Sequence, residues 1–411
     1  MKRFLSFSLV LTMIMVILAA CGTQTESGGT TAASTTVTIV SSLPRTGSSK
    51  GQTDTIVNAI KMRLEEANYS ACEGKATIKY EDLDDATAAK GAWDEAKEAE
   101  NANAAASNKD VMVYIGTFNS GAAKISIPIL NNAGIVMISP ANTYPGLTKD
   151  GKGDAGEPGV YYPKGTRNYT RVVPADDLQG AAAGNWAKEL GVTNVYILDD
   201  TELYGKGIAD VFASTAEKNG IKIAGRDSID AKASDYKALM SKIAATNPDM
   251  IYFGGITQSN AGQLVKDMRA AGMTADKVKF MGPDGIFEQA FIDAAGADNA
   301  EGVYATFGGV PPAKLEGKGA EWYNAYKTKF SAEPEAYAVY GYESTNVALA
   351  AINKSCDSLT RETILKNVFA TKDFDGVLGK WSFDASGDTT LTQMSGQQIK
   401  NGVFEFVQIL K

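Results

Sequence analysis

Residues 111–148, VMVYIGTFNSGAAKISIPILNNAGIVMISPANTYPGLT, constrain the fold more than any other stretch of the chain. They read in order as a buried strand, a small polar loop, an amphipathic helix, a second buried strand and a second polar loop: 111–115, 116–121, 122–132, 135–138 and 139–145. Open α/β sheets bind ligands outside the carboxyl ends of their strands, where both loops fall. The first loop also opens a helix, whose free N–H groups near Ser120 favour a negative group. We therefore expect a pocket for a small anionic or zwitterionic molecule.

The same alternation of strands and helices occurs in two series. In the first series, a strand, a helix, a strand and a helix precede residues 111–148: 36–41, 53–68, 76–80 and 87–107. After a polar excursion over 149–167, the alternation restarts with a strand at 195–198 and runs to a strand at 278–281. Such alternation is typical of a parallel sheet covered by helices on both faces. The chain is therefore expected to form two α/β lobes, each with a doubly wound parallel sheet.

Composition narrows the class of function. The 411 residues include no histidine and carry a formal net charge of −8. An acidic chain without a long basic run is a poor partner for nucleic acid or an anionic membrane, and we expect a monomer. The absence of histidine removes Ser-His-Asp and Cys-His machinery and histidine-containing zinc sites. We expect a protein that is not an enzyme and has no cofactor and no metal.

The N-terminus predicts export. Residues 1–20 contain two basic residues, an apolar run and then small residues, which is the pattern of a secretion signal. The sequence LAACG around Cys21 resembles the lipobox of bacterial lipoproteins, in which this cysteine is lipidated; an ordinary signal peptide with a free thiol is the alternative. Residues 21–35 are small, polar and almost uncharged, and we expect them to form a flexible tether. The mature protein would then be lipid-anchored on the extracytoplasmic face of the membrane.

Two further cysteines, Cys72 and Cys356, each follow a predicted helix. They could form a disulfide if those helices pack side by side, since disulfides persist outside the cytoplasm. Two separate buried thiols are the alternative.

Candidate binding residues cluster where strands end. In the first series these are the loops 116–121 and 139–145, and the first lacks both the dinucleotide fingerprint and the Lys-Ser/Thr ending of a phosphate loop. In the second series, Tyr204 and Asp284 follow strands, although Tyr204 could be a core residue and Asp284 only a helix cap. The carboxylates in 199–202 are expected to form a solvated turn. Because no single loop supplies micromolar affinity, groups from both lobes must converge on the ligand.

With these motifs, the chain resembles the type I periplasmic substrate-binding proteins of branched-chain amino acid ABC transporters over residues 37–410. The most specific pieces are IGTFNSG at 115–121, GIVMISPANTYPGLT at 134–148, the YG of ELYGKGIA at 202–209, MIYFGG at 250–255 and KFMGPDG at 279–285. The resemblance implies two lobes joined by three crossovers, near residues 169–174, 305–311 and 373–378. Lobe I would comprise 36–172 and 307–375, and lobe II 173–306 and 376–411.

The resemblance also implies roles for matching residues. Ser120 and Thr143, with the backbone of Ala141 or Asn142, would hold the carboxylate of the ligand. Tyr204 and Asp284 would reach from the other lobe, and the acidic side chain would take the α-ammonium group. The full set of expected ligand-binding residues is Phe118, Asn119, Ser120, Ala141, Asn142, Thr143, Tyr204, Thr257 and Asp284.

The sequence departs from the family pattern at two binding positions. Ile256 and Thr257 stand where amino-acid binders commonly have an aromatic residue, and Asp284 is one methylene shorter than the frequent glutamate. The expected ligand is a small carboxylate-bearing solute, an amino acid or a related compound, passed to the permease subunits of an ABC importer. An amide, a urea derivative or another small organic solute is the alternative ligand, and a sensor ectodomain that presents its ligand to a receptor is the alternative function.

Overall fold

The structure, a computed structural model, describes residues 35–411. The predicted signal peptide, Cys21 and most of the predicted tether lie outside the described residues. The strands are β1 (Thr35–Leu43), β2 (Ser70–Ala71), β3 (Ala76–Asp84), β4 (Ala86–Thr87), β5 (Ala92–Trp93), β6 (Val111–Gly116), β7 (Val136–Ser139), β8 (Tyr169–Arg171), β9 (Asn194–Asp199), β10 (Lys222–Ser228), β11 (Met250–Gly254), β12 (Lys279–Gly282), β13 (Tyr304–Gly308), β14 (Phe374–Gly376), β15 (Gly379–Trp381), β16 (Met394–Lys400) and β17 (Val403–Leu410). The helices are α1 (Lys50–Glu66), α2 (Glu95–Ser107), α3 (Ser120–Ala133), α4 (Asp176–Glu189), α5 (Leu203–Lys218), α6 (Lys237–Ala244), α7 (Ala261–Ala270), α8 (Gln289–Ala295), α9 (Ala297–Ala300), α10 (Lys318–Phe330), α11 (Ala338–Asn353) and α12 (Arg361–Phe369).

The first lobe is built on a six-stranded sheet in the order β2-β3-β1-β6-β7-β8. All of its pairings are parallel except that of the short β2 with β3. The β-branched and aliphatic residues of the central strands suit burial on both faces, and Val37, Ile39 and Val113 are fully buried. Helices α1, α10, α11 and α12 cover one face, and α2 and α3 cover the other.

The second lobe is built on a seven-stranded sheet in the order β10-β9-β11-β12-β13-β16-β17. Strands β10 to β13 pair in parallel, and the C-terminal strands β16 and β17 extend the sheet in antiparallel fashion. Helices α6, α7 and α8 bury one face, and α4 and α5 bury the other. The expected fold class, two doubly wound lobes joined by crossovers, is confirmed.

Three segments connect the lobes. The chain leaves the first lobe between β8 and α4, returns between β13 and α10, and leaves again between β15 and β16. The third passage lies later than the expected 373–378. Residues 374–381 instead form the hairpin β14–β15, whose Trp381 is buried in the first lobe and donates its indole N–H to the buried Glu343 carboxylate at 2.7 Å. The expected boundary at residue 375 therefore moves beyond this hairpin.

One local prediction is corrected, and two elements were not predicted. The helix expected over 87–107 begins only at Glu95, because β4 and β5 form a small hairpin and the Asp94 carboxylate caps the helix by accepting from the N–H groups of Ala96 and Lys97. Helix α4 and strand β16 were not expected. Helix α4 is rich in alanine and glycine, and β16 buries glutamine and serine instead of an alternating apolar pattern.

Cys72 and Cys356 are joined by a disulfide, with their Cα atoms 5.4 Å apart. Cys72 lies before the N-terminal end of β3, and Cys356 lies just beyond α11. The bridge therefore sits at the edge of the first sheet opposite the carboxyl ends of its strands.

A pair of buried acids lies between the first sheet and α2. The Glu98 carboxylate accepts from the Ser42 hydroxyl at 2.6 Å and from the Tyr114 hydroxyl at 2.9 Å, and Asp85 is buried beside it. Burial raises the pKa of Glu98 to about 7 despite these hydrogen bonds, and burial together with the charge of Glu98 raises the pKa of Asp85. We therefore expect the stability of the protein to depend on pH.

Over residues 35–411, the structure contains no helix with the length and apolar character needed to span a bilayer. The same residues contain no cluster of three or more His, Cys, Asp or Glu side chains arranged to hold a metal ion.

Candidate ligand-binding site

A small cavity lies between the two lobes, and about 300 Å³ of empty space surrounds it when the part open to solvent is included. The first lobe lines it with residues from the ends of β6 and β7 and from the start of α11, and the second lobe lines it from the ends of β9, β11 and β12. The lining residues are Phe118, Asn119, Ser120, Ala141, Tyr204, Ile256, Gly285 and Tyr337. Strand ends of both sheets therefore meet at one site, as expected for open α/β sheets.

The N-terminus of α3 faces this cavity. Ser120 is the first residue of the helix, and Asn119 is its N-cap without a side-chain capping bond. The Asn119 side-chain oxygen is buried and has no hydrogen-bond partner among residues 35–411. Since the first N–H groups of a helix lack intrahelical acceptors and carry the positive end of its dipole, this wall suits a carboxylate.

The second loop of the first lobe is fixed from behind by Asn142 and Arg171. The Asn142 amide donates to the Phe118 carbonyl oxygen at 3.0 Å and so ties the two loops together. The fully buried Arg171 guanidinium donates to the Tyr144 carbonyl oxygen at 2.8 Å and to the Asn142 carbonyl oxygen at 3.3 Å. Because Arg171 occupies two carbonyl groups of this loop, the loop is held rigidly at the cavity.

Asp284 is buried behind the opposite wall, next to the lining residue Gly285. Its Oδ1 accepts from the Tyr204 hydroxyl at 2.6 Å and from the Gln179 amide at 2.8 Å, and its Oδ2 accepts from the Tyr337 hydroxyl. Burial raises the pKa of Asp284 to about 6, although the bonds from Tyr204 and Gln179 favour its charged form. Burial and the charge of Asp284 likewise raise the pKa of Tyr204. A carboxylate with several hydrogen-bond donors at its edge suits the cationic end of a ligand.

The lobes touch across the cavity. Tyr337 belongs to the core of the first lobe, and its bond to Asp284 therefore crosses between lobes. The Gln258 amide donates to the Ser48 carbonyl oxygen at 3.2 Å, and a Cβ on Gly207 would lie 2.7 Å from the Tyr144 ring. The structure therefore represents a closed arrangement in which each lobe supplies part of one enclosure.

The expected site residues fall into two groups. Five line the cavity: Phe118, Asn119, Ser120, Ala141 and Tyr204. The other four are buried directly behind the lining: Asn142, Thr143, Thr257 and Asp284. Of these, the Thr257 hydroxyl donates to the Gly285 carbonyl oxygen at 3.3 Å, and the Thr143 carbonyl oxygen accepts from the Asp176 N–H at 2.8 Å.

Three lining residues were not expected: Ile256, Gly285 and Tyr337. The first two neighbour expected residues, but Tyr337 comes from a helix start of the first lobe, more than fifty positions beyond Asp284. Its only signal was an aromatic residue ahead of a buried helix, which is also typical of core packing.

Two of the three carboxylates expected to form a solvated turn, Asp199 and Asp200, are buried, whereas Glu202 is exposed. Asp199 accepts from the Ser228 hydroxyl at 2.7 Å and pairs with Arg226 at 3.1 Å, and Asp200 accepts from the Ser259 hydroxyl at 2.6 Å. Burial raises the pKa of Asp200 to about 7. These bonds hold the end of β9 in place, so the prediction of a solvated turn is wrong for Asp199 and Asp200 and holds for Glu202.

The comparisons with known proteins agree with this geometry. The model of the periplasmic binding protein family matches residues 36–403. An amino acid binding protein of Pseudomonas aeruginosa is 30% identical over 294 residues, which cover 70% of this chain and 71% of that protein. A Leu/Ile/Val-binding protein homolog of Brucella abortus is 29% identical over 68% of this chain and 70% of its own length.

Solved structures share the fold. A leucine-binding protein of Thermotoga maritima superposes with a TM-score of 0.79 at 24% identity, covering 91% of this chain and 99% of the other. A solute-binding protein of an ABC transporter from R. palustris, solved with benzoate, gives a TM-score of 0.76 at 16% identity over 91% of this chain and 96% of the other. At these identities the likeness establishes the fold alone. The family match over nearly the whole described chain goes further, and with the two-lobed cleft it shows that the chain belongs to the periplasmic binding protein family.

Proposed function

We propose that the protein is an extracytoplasmic solute-binding lipoprotein of an ABC importer, and that it closes over a small amino acid. The observation that carries this proposal is the pairing of two opposite walls in one cavity. The N-terminus of α3 favours an anion, and the buried Asp284 carboxylate on the other lobe favours a cation. An α-amino acid carries an ammonium group and a carboxylate group on the same carbon atom, so it can meet both requirements at once.

The proposed roles follow from this arrangement. Ser120 and Thr143, with the backbone of Ala141 or Asn142, hold the carboxylate. Asp284 takes the α-ammonium group, and the Tyr204 and Tyr337 hydroxyls hold Asp284 in place. Phe118 and Tyr337, whose rings meet edge to face with centroids 5.7 Å apart, form an apolar wall beside the polar groups. Asn119 and Thr257 complete the proposed set.

The apolar lining supports an aliphatic ligand. Ile256 lines the cavity from the second lobe. Amino-acid binders that the chain resembles commonly have an aromatic residue at this position. Related proteins are named for leucine, isoleucine, valine, threonine and alanine, including one from Pseudomonas aeruginosa that is 28% identical over 286 residues. These five amino acids are therefore the first candidates, and amides, urea derivatives and other small organic acids are the alternatives.

Anchoring and partners are part of the proposal. The LAACG sequence supports lipidation of Cys21 after removal of residues 1–20, and residues 21–35 would form the tether. The anchored monomer would deliver its ligand to the permease subunits of the transporter. Mass analysis of the mature protein tests the anchor: a lipidated Cys21 at the N-terminus supports it, and a free thiol contradicts it.

A thermal-shift screen of the exported protein tests the ligand. Amino acids, their amides and small organic acids are compared at the same excess, because a ligand that binds the folded state at about 100 times its Kd stabilises it by about 2.7 kcal/mol. A shift with at least one aliphatic amino acid, confirmed by calorimetry, supports the proposal. Binding of benzoate or an amide alone, with no amino acid, contradicts the zwitterion assignment.

A further inference from the structure

The polar excursion over residues 149–167 has no part in the roles above. Two of its acidic residues, Asp150 and Asp154, are exposed, but the side chain of the third, Glu157, is only 3% exposed. A carboxylate is costly to remove from water unless hydrogen bonds and opposite charges compensate it. The partners of Glu157 therefore indicate what its burial achieves.

Three hydrogen-bond donors and one lysine meet the Glu157 carboxylate. Its Oε2 accepts from the Tyr144 hydroxyl at 2.8 Å and from the Asp154 N–H at 2.9 Å, and its Oε1 accepts from the Tyr161 hydroxyl. The Lys124 ammonium group on α3 lies 3.7 Å from Oε1. Glu157 therefore ties the excursion to the second loop of the first lobe, which carries Tyr144.

Tyr144 is held at its backbone and at the end of its side chain. Its N–H donates to the Ser120 hydroxyl at 3.4 Å, and its carbonyl oxygen accepts from the Arg171 guanidinium at 2.8 Å. Burial, followed by the hydrogen bond to Glu157 and its charge, raises the pKa of Tyr144 above its ordinary value, so the hydroxyl remains a donor. The ring between these fixed points is therefore held in one orientation.

This orientation places the Tyr144 ring against the second lobe. Gly207 lies in α5, and a Cβ added to it would lie 2.7 Å from Cδ2 and 2.9 Å from Cε2 of Tyr144. Glycine is the residue that allows so close an approach to the backbone. Beside this contact, residues of both lobes line an open groove, among them Lys152 of the excursion and Lys206 of α5. The Tyr144 ring thus bridges the lobes where the excursion faces α5.

We propose that Tyr144, oriented by Glu157 of the excursion, is a latch that keeps the two lobes closed over the ligand and slows its release. Glu157 is the positioning residue of this latch and does not line the cavity. Tyr144 and Gly207 belong to different lobes, so their contact is lost when the lobes part. The latch goes beyond the proposed function by giving the excursion a role, and it rests on that function because it assumes a ligand held by closure.

A contact that exists only in the closed arrangement acts on the dissociation rate. The ligand first meets the open protein, in which the latch is disengaged, so the association rate constant should not depend on it. Release requires the lobes to part, and loss of the contact makes parting easier. Since the contact stabilises the closed state alone, its loss weakens the affinity by the factor by which it lowers the closed-to-open ratio.

Stopped-flow tryptophan fluorescence measures both rate constants. The probe is the compound of the thermal-shift screen that stabilises the protein most, because the contact between Tyr144 and Gly207 does not depend on the charge of the ligand. For Tyr144→Ala and Glu157→Ala we expect dissociation to be about tenfold faster, with association within about twofold of the wild type. Asp150→Ala, at an exposed carboxylate of the same excursion, is the matched control and should change neither rate constant. Wild-type dissociation rates in both Tyr144→Ala and Glu157→Ala would overturn the inference.

A double variant separates the latch from a merely structural role of Glu157. If Glu157 acts through Tyr144, the protein with Tyr144→Ala and Glu157→Ala together should release the probe at the rate of Tyr144→Ala alone. Additive effects would refute the positioning role. Tyr144→Phe keeps the ring but donates nothing to Glu157, and we expect it to release the probe about two- to tenfold faster than the wild type. This mild change decides the matter if the alanine variants do not fold, because a wild-type dissociation rate in Tyr144→Phe would then refute the latch.

Gly207→Val tests the same contact from the second lobe. Its added side chain meets the Tyr144 ring in the wild-type background and should speed release about tenfold, whereas in the Tyr144→Ala background there is no ring to meet. We therefore expect Gly207→Val to change the dissociation rate of Tyr144→Ala by less than about twofold. Equal effects of Gly207→Val in the two backgrounds would overturn the inference.

Failure of the inference is distinct from failure of the proposed function. If the best probe is not an amino acid, the proposed ligand is wrong, but the latch is tested with that probe in the same way. If an amino acid binds and the variants of Tyr144 and Glu157 release it at the wild-type rate, the proposed function stands and only the latch is refuted. If no compound of the screen binds, both fall.

Discussion

Arg171 Nε and Asp388 Oδ1 lie 2.7 Å apart, and their side chains are only 0% and 5% exposed. This ion pair joins the last residue of β8 to the third segment that connects the lobes. Arg171 at the same time holds two carbonyl groups of the loop that carries Ala141 and Thr143. The pair therefore links the hinge region to one wall of the ligand cavity.

Asp388→Asn should lower the free energy of unfolding by about 3–5 kcal/mol, because removal of one partner leaves a buried charge unpaired. Although burial alone would raise the pKa of Asp388, Arg171 holds it below its ordinary value. This stabilisation is present above the unfolded-state pKa and is lost as the pH falls through the folded-state value, so the variant should also be less sensitive to acid. Urea denaturation from pH 3 to pH 7 measures both effects. The control is Asp375→Asn, which breaks an exposed pair with Lys318 and should cost about 0–1 kcal/mol.

Asp284→Asn should weaken the binding of an amino acid by about 1.5–3 kcal/mol, because an ammonium group loses a charge-assisted hydrogen bond. Isothermal calorimetry at pH 7.5 measures the change. Asp293→Asn, an exposed carboxylate on α8, is the matched control and should bind like the wild type. Equal affinity of Asp284→Asn and the wild type would remove Asp284 from the proposed site.

Gly207→Val should weaken ligand binding without unfolding either lobe. The added Cβ would lie 2.7 Å from the Tyr144 ring of the other lobe, so it disfavours the closed arrangement by about 1–3 kcal/mol. The expected results are a weaker affinity by calorimetry and a larger radius of gyration in X-ray scattering with ligand present. A Cβ added at Gly51 would meet no atom within 4 Å, so Gly51→Val is the control. A Gly207→Val protein that closes as tightly as the wild type would contradict the contact.

Reduction of the Cys72–Cys356 disulfide, or the double change Cys72→Ala and Cys356→Ala, should lower the free energy of unfolding by about 2–5 kcal/mol. The two residues are 284 positions apart, so the bridge restricts a long loop in the unfolded chain. Denaturation with and without reductant measures the loss. Ligand affinity should be unchanged, because the bridge lies at the opposite edge of the sheet; two alkylatable thiols in the unreduced protein would contradict the bridge.

Stability should fall as the pH rises from the ordinary pKa of a glutamate to about 7. The pKa of Glu98 is raised to about 7 in the folded state, so across this range the folded protein keeps a proton that the unfolded chain has already released. The slope for this one group is about −1.4 kcal/mol per pH unit. Glu98→Gln should flatten the curve, whereas Glu100→Gln, an exposed position on the same helix, should not. An unchanged slope in Glu98→Gln would contradict the role of burial.

Elements whose buried residues form a recognisable apolar pattern in the sequence could be predicted. Strands such as β1, β6 and β7 are continuous runs of β-branched and aliphatic residues, and they were placed to within two or three residues. Helix α4 leaves a weaker pattern because Gly180 and Gly184 sit where a Cβ would lie 2.8 Å from side chains of α5, so close packing and not helix propensity selects them. Strand β16 buries Ser395 and Gln397, and only its pairing with β13 and β17 explains that burial.

In the candidate site, too, only residues with a local sequence pattern could be predicted. Loops that directly follow buried strands could be predicted, and they supply the first-lobe wall and Tyr204. Tyr337 and Gln179 come from the starts of helices, and nothing local distinguishes them from core or capping residues. Their positions beside Asp284 depend on how the lobes meet, which is a property of the closed molecule.

The C-terminal strands have a consequence for how the molecule is made. Strand β13 lacks its antiparallel neighbour until β16, some ninety residues later, has emerged, and β17 is the last strand of all. Neither lobe is therefore formed by one continuous stretch of the chain. A nascent polypeptide released before β16 is made would expose an unpaired sheet edge that can pair with another polypeptide. Export before folding would keep that edge extended until the final residues arrive to cover it.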